Sequence, residues 1–500
     1  MAHRSTPILA LALLTSGCVQ ITTKQNLDHC TYNEGDRYCA EQFPDRPFCN
    51  DGRDECAIGD KYGCVAEVRP ECHEPCGVLD DEACLGESSS SSGSGSGSDS
   101  GSDSGSDSGS STGPMPCMGN EDCMDAGAPF CEPSSGECVG CDGLDDGDGA
   151  CAELDANAPL CVGATCVACT AEDTSVCDAQ ALVCDEESNT CVPCTEHDQC
   201  GEAACNLFEG TCLPADAVTR VGPGQEYTTL SAAVMSFPAG SEGTIIVFTG
   251  MPDYNEAVTV DGGRTLALLA NDGDLPRWVL TGGGSPQLTV GDATVLMDGI
   301  QVSGNAATGD PGVLVDGGRA WLDRSRIIQN AGGGIVAQNA GELVLRNCFV
   351  GGSVDDANAL EVNGATARIV YSTLAAGTVT AVGLSCITPV SLEVRNSLIV
   401  ARGVDATGAY DVVCDDATIT YSATESMVPG EGNSALDEMP TTMPEQWFLG
   451  YTAGDFHLTT PPIEVATTAE WRTGDPLVDI DGDARPGADQ VSDVAGADLP

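Results

Sequence analysis

The chain has 500 residues, with 77 acidic side chains against 19 basic ones and a formal net charge of −58. Nucleic acid is excluded as a partner because phosphate binding needs a basic footprint. Lysine occurs only at positions 24 and 61, so there is no polybasic patch for anionic lipid either. Of the 28 cysteines, 24 lie between positions 30 and 212, a density that belongs to an oxidising compartment.

At the N-terminus, His3 and Arg4 precede an apolar run from Pro7 to Leu14, and small residues lead to Cys18. The run is too short to span a bilayer and reads as the core of a signal peptide over residues 1–17. Leu14-Thr15-Ser16-Gly17-Cys18 resembles a bacterial lipobox, although the leucine stands one place further from the cysteine than usual and Thr15 takes its position. The resemblance implies lipidation of Cys18. Several acyl chains, at about 0.8 kcal/mol per buried CH₂, would then hold the protein on a membrane without a transmembrane helix. Val19 follows the cysteine where aspartate would retain the protein. By resemblance to lipoprotein sorting in Gram-negative bacteria, this implies the outer membrane, with exposure to the periplasm or the cell exterior.

Residues 18–86 form a first cysteine-rich region, with eight cysteines between positions 30 and 84. A Gly/Ser/Asp tract over 87–116 cannot bury a core and reads as a flexible linker with a reach of roughly 30 Å. Residues 117–214 then carry four units of four cysteines, starting at Cys117, Cys141, Cys169 and Cys194. Two residues always separate the last cysteine of one unit from the first of the next. "APFCEPSSGECVGC", "APLCVGATCVAC" and "LVCDEESNTCVPC" repeat one phrase, and the even count per unit predicts closed pairs inside each unit, with connectivity left open. Long aliphatic and aromatic residues are scarce, so each unit depends on its disulfides. These units resemble cysteine-rich repeats of bacterial surface lipoproteins. The CxxC pairs at the unit junctions lack the following helix that would depress a thiol pKa, which argues against redox chemistry.

From about residue 217 the pattern changes. Met297, Leu322, Leu345, Val370 and Val394 form one recurring column, Val302, Ile327, Val350, Ala375 and Ile399 a second, and Ile300, Ser325, Cys348, Thr373 and Ser397 a third. All three step by 25, 23, 25 and 24 residues, by subtraction of the positions. A shared period of this size predicts a solenoid whose coils bury their apolar faces only against one another. The lead-in "VGPGQEYTTLSAAVMSFPAGSEGTIIVFTG" resembles that of right-handed parallel β-helix proteins of the pectin-lyase-like type, with a short helix placing Leu230, Ala233 and Val234 on the core. The fold class expected is therefore all-β: a right-handed parallel β-helix over 217–430, preceded by small disulfide-rich, loop-rich repeats. Cys386 and Cys414 occupy equivalent positions in successive coils, within reach of a disulfide. Residues 431–500, with "DFHL" and "DIDGDARPGAD", resemble the closing segment of bacterial β-helix proteins and are expected to cap the open end of the stack.

Three constellations are candidates for function. Asp323, Arg346, Tyr371, Arg395 and Tyr421 read as one outward stripe on successive coils, a ridge on which Arg346, Tyr371, Arg395 and Tyr421 would bind a sugar or carboxylate, against the plainer reading of a solvated face. Asp479, Asp481 and Asp483 resemble the start of a calcium loop, as do Asp142, Asp145, Asp146 and Asp148, but neither set has the glutamate that completes an EF-hand. The resemblance to the β-helix superfamily implies, for its enzymes, either calcium-binding carboxylates with an Arg or Lys base or paired and tripled aspartates on one strand face. Here no lysine follows Lys61, and no strand shows two converging carboxylates beside a base. The expectation is a surface lipoprotein displaying a β-helix on a disulfide-rich stalk, structural or adhesive towards glycans or another surface protein. The alternative is a polysaccharide lyase or hydrolase.

Overall fold

A computed structural model describes residues 116–123, 127–132, 134–351, 357–377, 381–401, 411–436 and 446–500, with single residues between 39 and 65 and the backbone of four residues between 404 and 409. Cys18, the signal segment and residues 87–115 lie outside the described residues. The chain divides into two compact units, 1–111 and 112–500. In the first, a Cys39–Cys64 disulfide closes beside an antiparallel pair, Phe48–Cys49 with Cys64–Val65.

The second unit is dominated by a parallel β-helix of about eight turns. Three sheets run its length: nine strands from Val218–Val221 to Thr418–Thr420, seven from Val258–Val260 to Val412–Val413, and eight from Arg277–Val279 to Ser434–Ala435. Neighbours in all three pair in parallel. From Thr294–Asp298 onward, each coil visits the nine-stranded sheet, turns through two residues into the eight-stranded sheet, and loops to the seven-stranded one. The first turn residue lies in the left-handed region on successive coils: Gly299, Arg324, Asn347, Tyr371, Asn396 and Tyr421, with φ from 42° to 71°. A repeated left-handed residue reverses the chain within two positions, and asparagine tolerates it better than most.

Inside, alternating side chains stack coil on coil. One ladder is Met297, Leu322, Leu345, Ile369, Val394 and Ile419. Another is Val302, Ile327, Val350, Leu374 and Ile399. These side chains are essentially buried. The third column is polar: Ser325, Ser372, Ser397 and Ser422 are fully buried, and each hydroxyl accepts an amide of the preceding coil, Ile300, Cys348, Ser372 and Ser397 in turn, at 3.1–3.3 Å. The fourth coil therefore corrects the periodic reading by one residue: Ile369, Leu374 and Ser372 replace Val370, Ala375 and Thr373. A one-residue shift moves a strand side chain to the opposite face. Val370 could pass for a core residue because the outer face there is also covered, by apolar groups of the C-terminal segment.

At the N-terminal end the helix Leu230–Ser236 plugs the stack, with Leu230, Ala233 and Val234 buried in the core. Thr229 caps it, and the Glu256 carboxylate accepts the amides of Leu230 and Ser231 at 2.7 and 3.0 Å, satisfying donors that the first helical turn leaves unpaired. Cys386 and Cys414 are disulfide-bonded, Cα–Cα 4.9 Å.

The four cysteine units share one connectivity, first to third and second to fourth: 117–131 and 123–138, 141–161 and 151–166, 169–184 and 177–191, 194–205 and 200–212. The junction CxxC cysteines are thus bonded into different units. The last unit is not part of a free stalk. Ala204, Leu207, Phe208 and Leu213 pack on Ala267, Leu296 and Trp321, on the outer face of the nine-stranded sheet.

The C-terminal segment departs from the expected end cap. It lies along the flank of the solenoid: Phe456 meets Phe349 edge-on at 5.7 Å, Tyr451 Oη donates to Ala376 O at 2.6 Å, and the amides of Gly496 and Ala497 donate to Asn396 O and Thr373 Oγ1. The reason is apolar area. Ile328, Phe349, Ala375, Leu398 and Val400 point outward from the eight-stranded sheet and would otherwise face water. Truncating an interior rung, Leu345→Ala, should cost about 2–5 kcal/mol. Val336→Ala, on the outer face of the seven-stranded sheet, should stay within about 0.5 kcal/mol; urea denaturation followed by circular dichroism separates the two.

Candidate functional site

From Thr294–Asp298 onward, the last residue of each strand in the nine-stranded sheet points outward, so register alone stacks Asp298, Asp323, Arg346, Val370, Arg395 and Thr420 in one column. Neighbours in such a column sit about 4.8 Å apart. The expected stripe mixed two columns. Asp323, Arg346 and Arg395 belong to this one, whereas Tyr371 and Tyr421 occupy the left-handed turn position beside it.

The column is not an exposed ridge. Asp323, Arg346 and Tyr371 are 2 %, 8 % and 0 % exposed. Two parts of the same chain cover them. From the fourth cysteine unit, Glu196 grips Arg346 with both oxygens, at 2.8 and 2.6 Å, while Arg346 Nε donates to Asp323 Oδ2 at 2.6 Å. Asp298 is paired with Arg324, Nε to Oδ1 at 2.9 Å. From the C-terminal segment, Asp475 pairs with Arg395, and Arg485 stacks over the Tyr371 ring at 3.9 Å while bonding Asp493 at 3.1 Å. Arg472 lies over Tyr421, 4.8 Å from its ring centre. An aromatic face carries a negative quadrupole, which is why these guanidinium groups settle there.

The electrostatics follow from this burial. Burial, with the charge of Asp323 next, pushes the Asp298 carboxyl up to about 6 against the pull of Arg324. His197 is 8 % exposed, and burial drives its imidazole down to about 4. Among the described residues, neither His197 ring nitrogen nor Asp323 Oδ1 finds a hydrogen-bond partner. Cys348 lies beneath the column, fully buried, and burial raises its thiol well above the ordinary value, so it stays protonated.

Sequence reasoning looked for two carboxylates on one strand and passed over this pair, because Asp298 and Asp323 come from consecutive coils. The register of Met297 with Leu322 was the available signal, since the next position in each strand is an aspartate.

The aspartates read as calcium ligands do not converge. Asp479 is fully buried and spends its oxygens on the amides of Asp481, Asp483 and Leu499 at 2.8–2.9 Å. Asp483 is exposed, and Asp481 turns the other way, to Arg326 and His457. In the second cysteine unit Asp146 caps the helix Gly147–Leu154, and Asp148 accepts the Cys161 amide at 2.7 Å. These are turn- and cap-forming roles that short acidic side chains commonly fill.

Comparison with known proteins adds the following. Residues 102–218, which include all four cysteine units, match a family described as being of unknown function (DUF8331). No curated protein matches the chain. Among solved structures, the chain is similar to the pectin methylesterase PemA from Erwinia chrysanthemi, at 13 % identity and a TM-score of 0.31, covering 43 % of this chain and 80 % of that one. It is likewise similar to a pectin methylesterase from Aspergillus niger, at 14 % identity and a TM-score of 0.28, covering 45 % and 86 %.

The docking of the fourth cysteine unit should be acid-sensitive through His197. Its buried pKa lies below the free value of about 6.5, so its contribution is complete above that pH and is lost as the pH falls towards 4, up to on the order of 3 kcal/mol. Asp298, with its raised pKa, works in the opposite direction through pH 6 and offsets part of this. Thermal denaturation at pH 7 and pH 4.5 should show a larger acid-induced drop for the wild type than for His197→Gln.

Proposed function

We propose that this protein is a surface lipoprotein whose β-helix serves as a rigid, non-catalytic display and adhesion module, tethered through Cys18 to the outer membrane and directed at surface glycans or another cell-surface protein. The observation that carries the non-catalytic reading is the occupation of the charged column by the chain's own groups. Glu196, Asp475 and Arg485 stand where a substrate of an exposed acid–base site would lie, and they hold Arg346, Arg395 and Tyr371 in closed contacts. A buried, hydrogen-bonded ion pair of this kind costs several kcal/mol to break by removing one partner, so it favours shape over turnover. The anchor rests on the lipobox-like sequence. Among the described residues no helix is long and apolar enough to cross a membrane. Cys18→Ala should move the protein from the membrane fraction to the soluble fraction and abolish incorporation of labelled palmitate. Unchanged fractionation with no label in the wild type would remove the anchor.

One observation favours a second reading, a polysaccharide-modifying enzyme. Asp298 and Asp323 are stacked carboxylates with arginines at both flanks and with Asp298 poised near pH 6, an arrangement suited to general acid–base work. Methyl-ester hydrolysis and depolymerisation assays on acidic polysaccharides distinguish the two. The display reading expects no turnover by the intact protein. Turnover that falls at least 100-fold in Asp298→Asn and Asp323→Asn would replace it with the enzymatic one.

A further inference from the structure

We propose that His457, Asp481 and Asp498 form a binding site for one divalent transition-metal ion, of the zinc or manganese type, at the seam between the C-terminal segment and the solenoid. The strand Asp455–Leu458 places Asp455 and His457 on the same face, two residues apart. Asp455 holds the Nδ1 side of the imidazole. That leaves Nε2 directed at Asp481, whose Oδ2 is 2.7 Å away. A neutral imidazole that donates from Nδ1 has only a lone pair at Nε2, and two acceptors facing each other require a cation or a proton between them or beside them. Asp498 completes the set. It is 4 % exposed, and its Oδ2 accepts the Leu458 amide at 2.6 Å. One donor atom from each of the three residues lies within 4.8 Å of the others. Bonds of about 2.0–2.2 Å to zinc bring donors to roughly 3–3.5 Å from one another, so small side-chain rotations close the site.

The donor chemistry selects the ion. Calcium takes oxygen ligands alone, six to eight of them, whereas one imidazole with two carboxylates suits zinc or manganese. A carboxylate behind a ligating histidine, as Asp455 stands behind His457, fixes ring orientation and raises ligand basicity. Among the described residues the other clusters of candidate ligands are cysteines of the four repeat units, and all of these are in disulfides. Arg326 supplies the competing cation: its guanidinium lies 2.8 Å from Asp481 Oδ1 and 3.3 Å from His457 Nε2. Uptake of the ion displaces it towards the adjoining cavity of about 410 Å³, lined by Asp298, Arg324, Arg326 and Asp481, which also opens the path to solvent. The ion would tie the strand Asp455–Leu458 to the stretches carrying Asp481 and Asp498 within the C-terminal segment, independently of whether the protein displays or turns over a ligand.

The test uses the full oxidised chain, stripped with EDTA and titrated with zinc, manganese and calcium chlorides by calorimetry, with thermal denaturation in parallel. The expected result is one zinc or manganese ion per chain, a raised melting temperature, and visible d–d absorption when cobalt is substituted. His457→Ala and Asp481→Asn should abolish saturable binding. Asp481 is partly exposed, so its variant is expected to fold, as circular dichroism would check. Asp455→Asn should weaken affinity about 10–100-fold. No saturable binding by the wild type, or a stoichiometry and affinity unchanged in His457→Ala, overturns the site and assigns any bound metal to scattered surface carboxylates.

Discussion

A coil of some two dozen residues encloses too little apolar area to be stable alone, and everything else in this molecule follows from that constraint. Parallel strand pairing gives each coil its interior only by borrowing a surface from the next. The ladders through Leu345 and Val350 are continuous for that reason, and so is the serine column, whose hydroxyls close a polar contact that would otherwise leave buried amides unpaired. The same constraint explains the plug at Leu230–Ser236, because the first coil has nothing upstream to borrow from.

The outer faces raise the same difficulty in a second form. Two of the three sheets carry large apolar side chains outward, and each is covered from within the chain: the nine-stranded sheet by the fourth cysteine unit, the eight-stranded sheet by the C-terminal segment. Between these two covers runs the charged column, in which no arginine is left to solvent alone. Arg346 is shared by Asp323 and Glu196, and Arg395 by Asp475. The cover that shields apolar surface thereby also neutralises the groups that an open β-helix would offer to a ligand. This links packing directly to the non-catalytic reading.

The disulfide units obey a different economy. Each of the four has few core residues, and a fixed first-to-third and second-to-fourth pairing restricts its unfolded chain, which substitutes for burial. The fourth differs from the rest in bearing Leu207 and Phe208, whose partners are Trp321 and its neighbours on the solenoid. Phe130 of the first unit is instead buried within the repeats, against Cys141 and Cys151.

Local chemistry, read along the chain, determined the period of the coils, the inward alternation of their apolar residues, the helix at Leu230, the disulfide between Cys386 and Cys414 and the four-by-four grouping of the cysteines, since each depends on residues close in sequence or repeated at a constant step. Tertiary structure alone decided the rest. Ile369 and Val370 are both apolar, and only the covering segment shows which one faces inward. Tyr371 and Tyr421 share the outward look of Arg346, and only the left-handed turn separates them into another column. His457, Asp481 and Asp498 come from three separate stretches of the C-terminal segment and meet where it folds on itself; Arg346 and Glu196 are 150 residues apart and meet because an apolar face had to be covered. Contacts of that kind are set by the burial of distant surfaces, and no local pattern in the sequence encodes them.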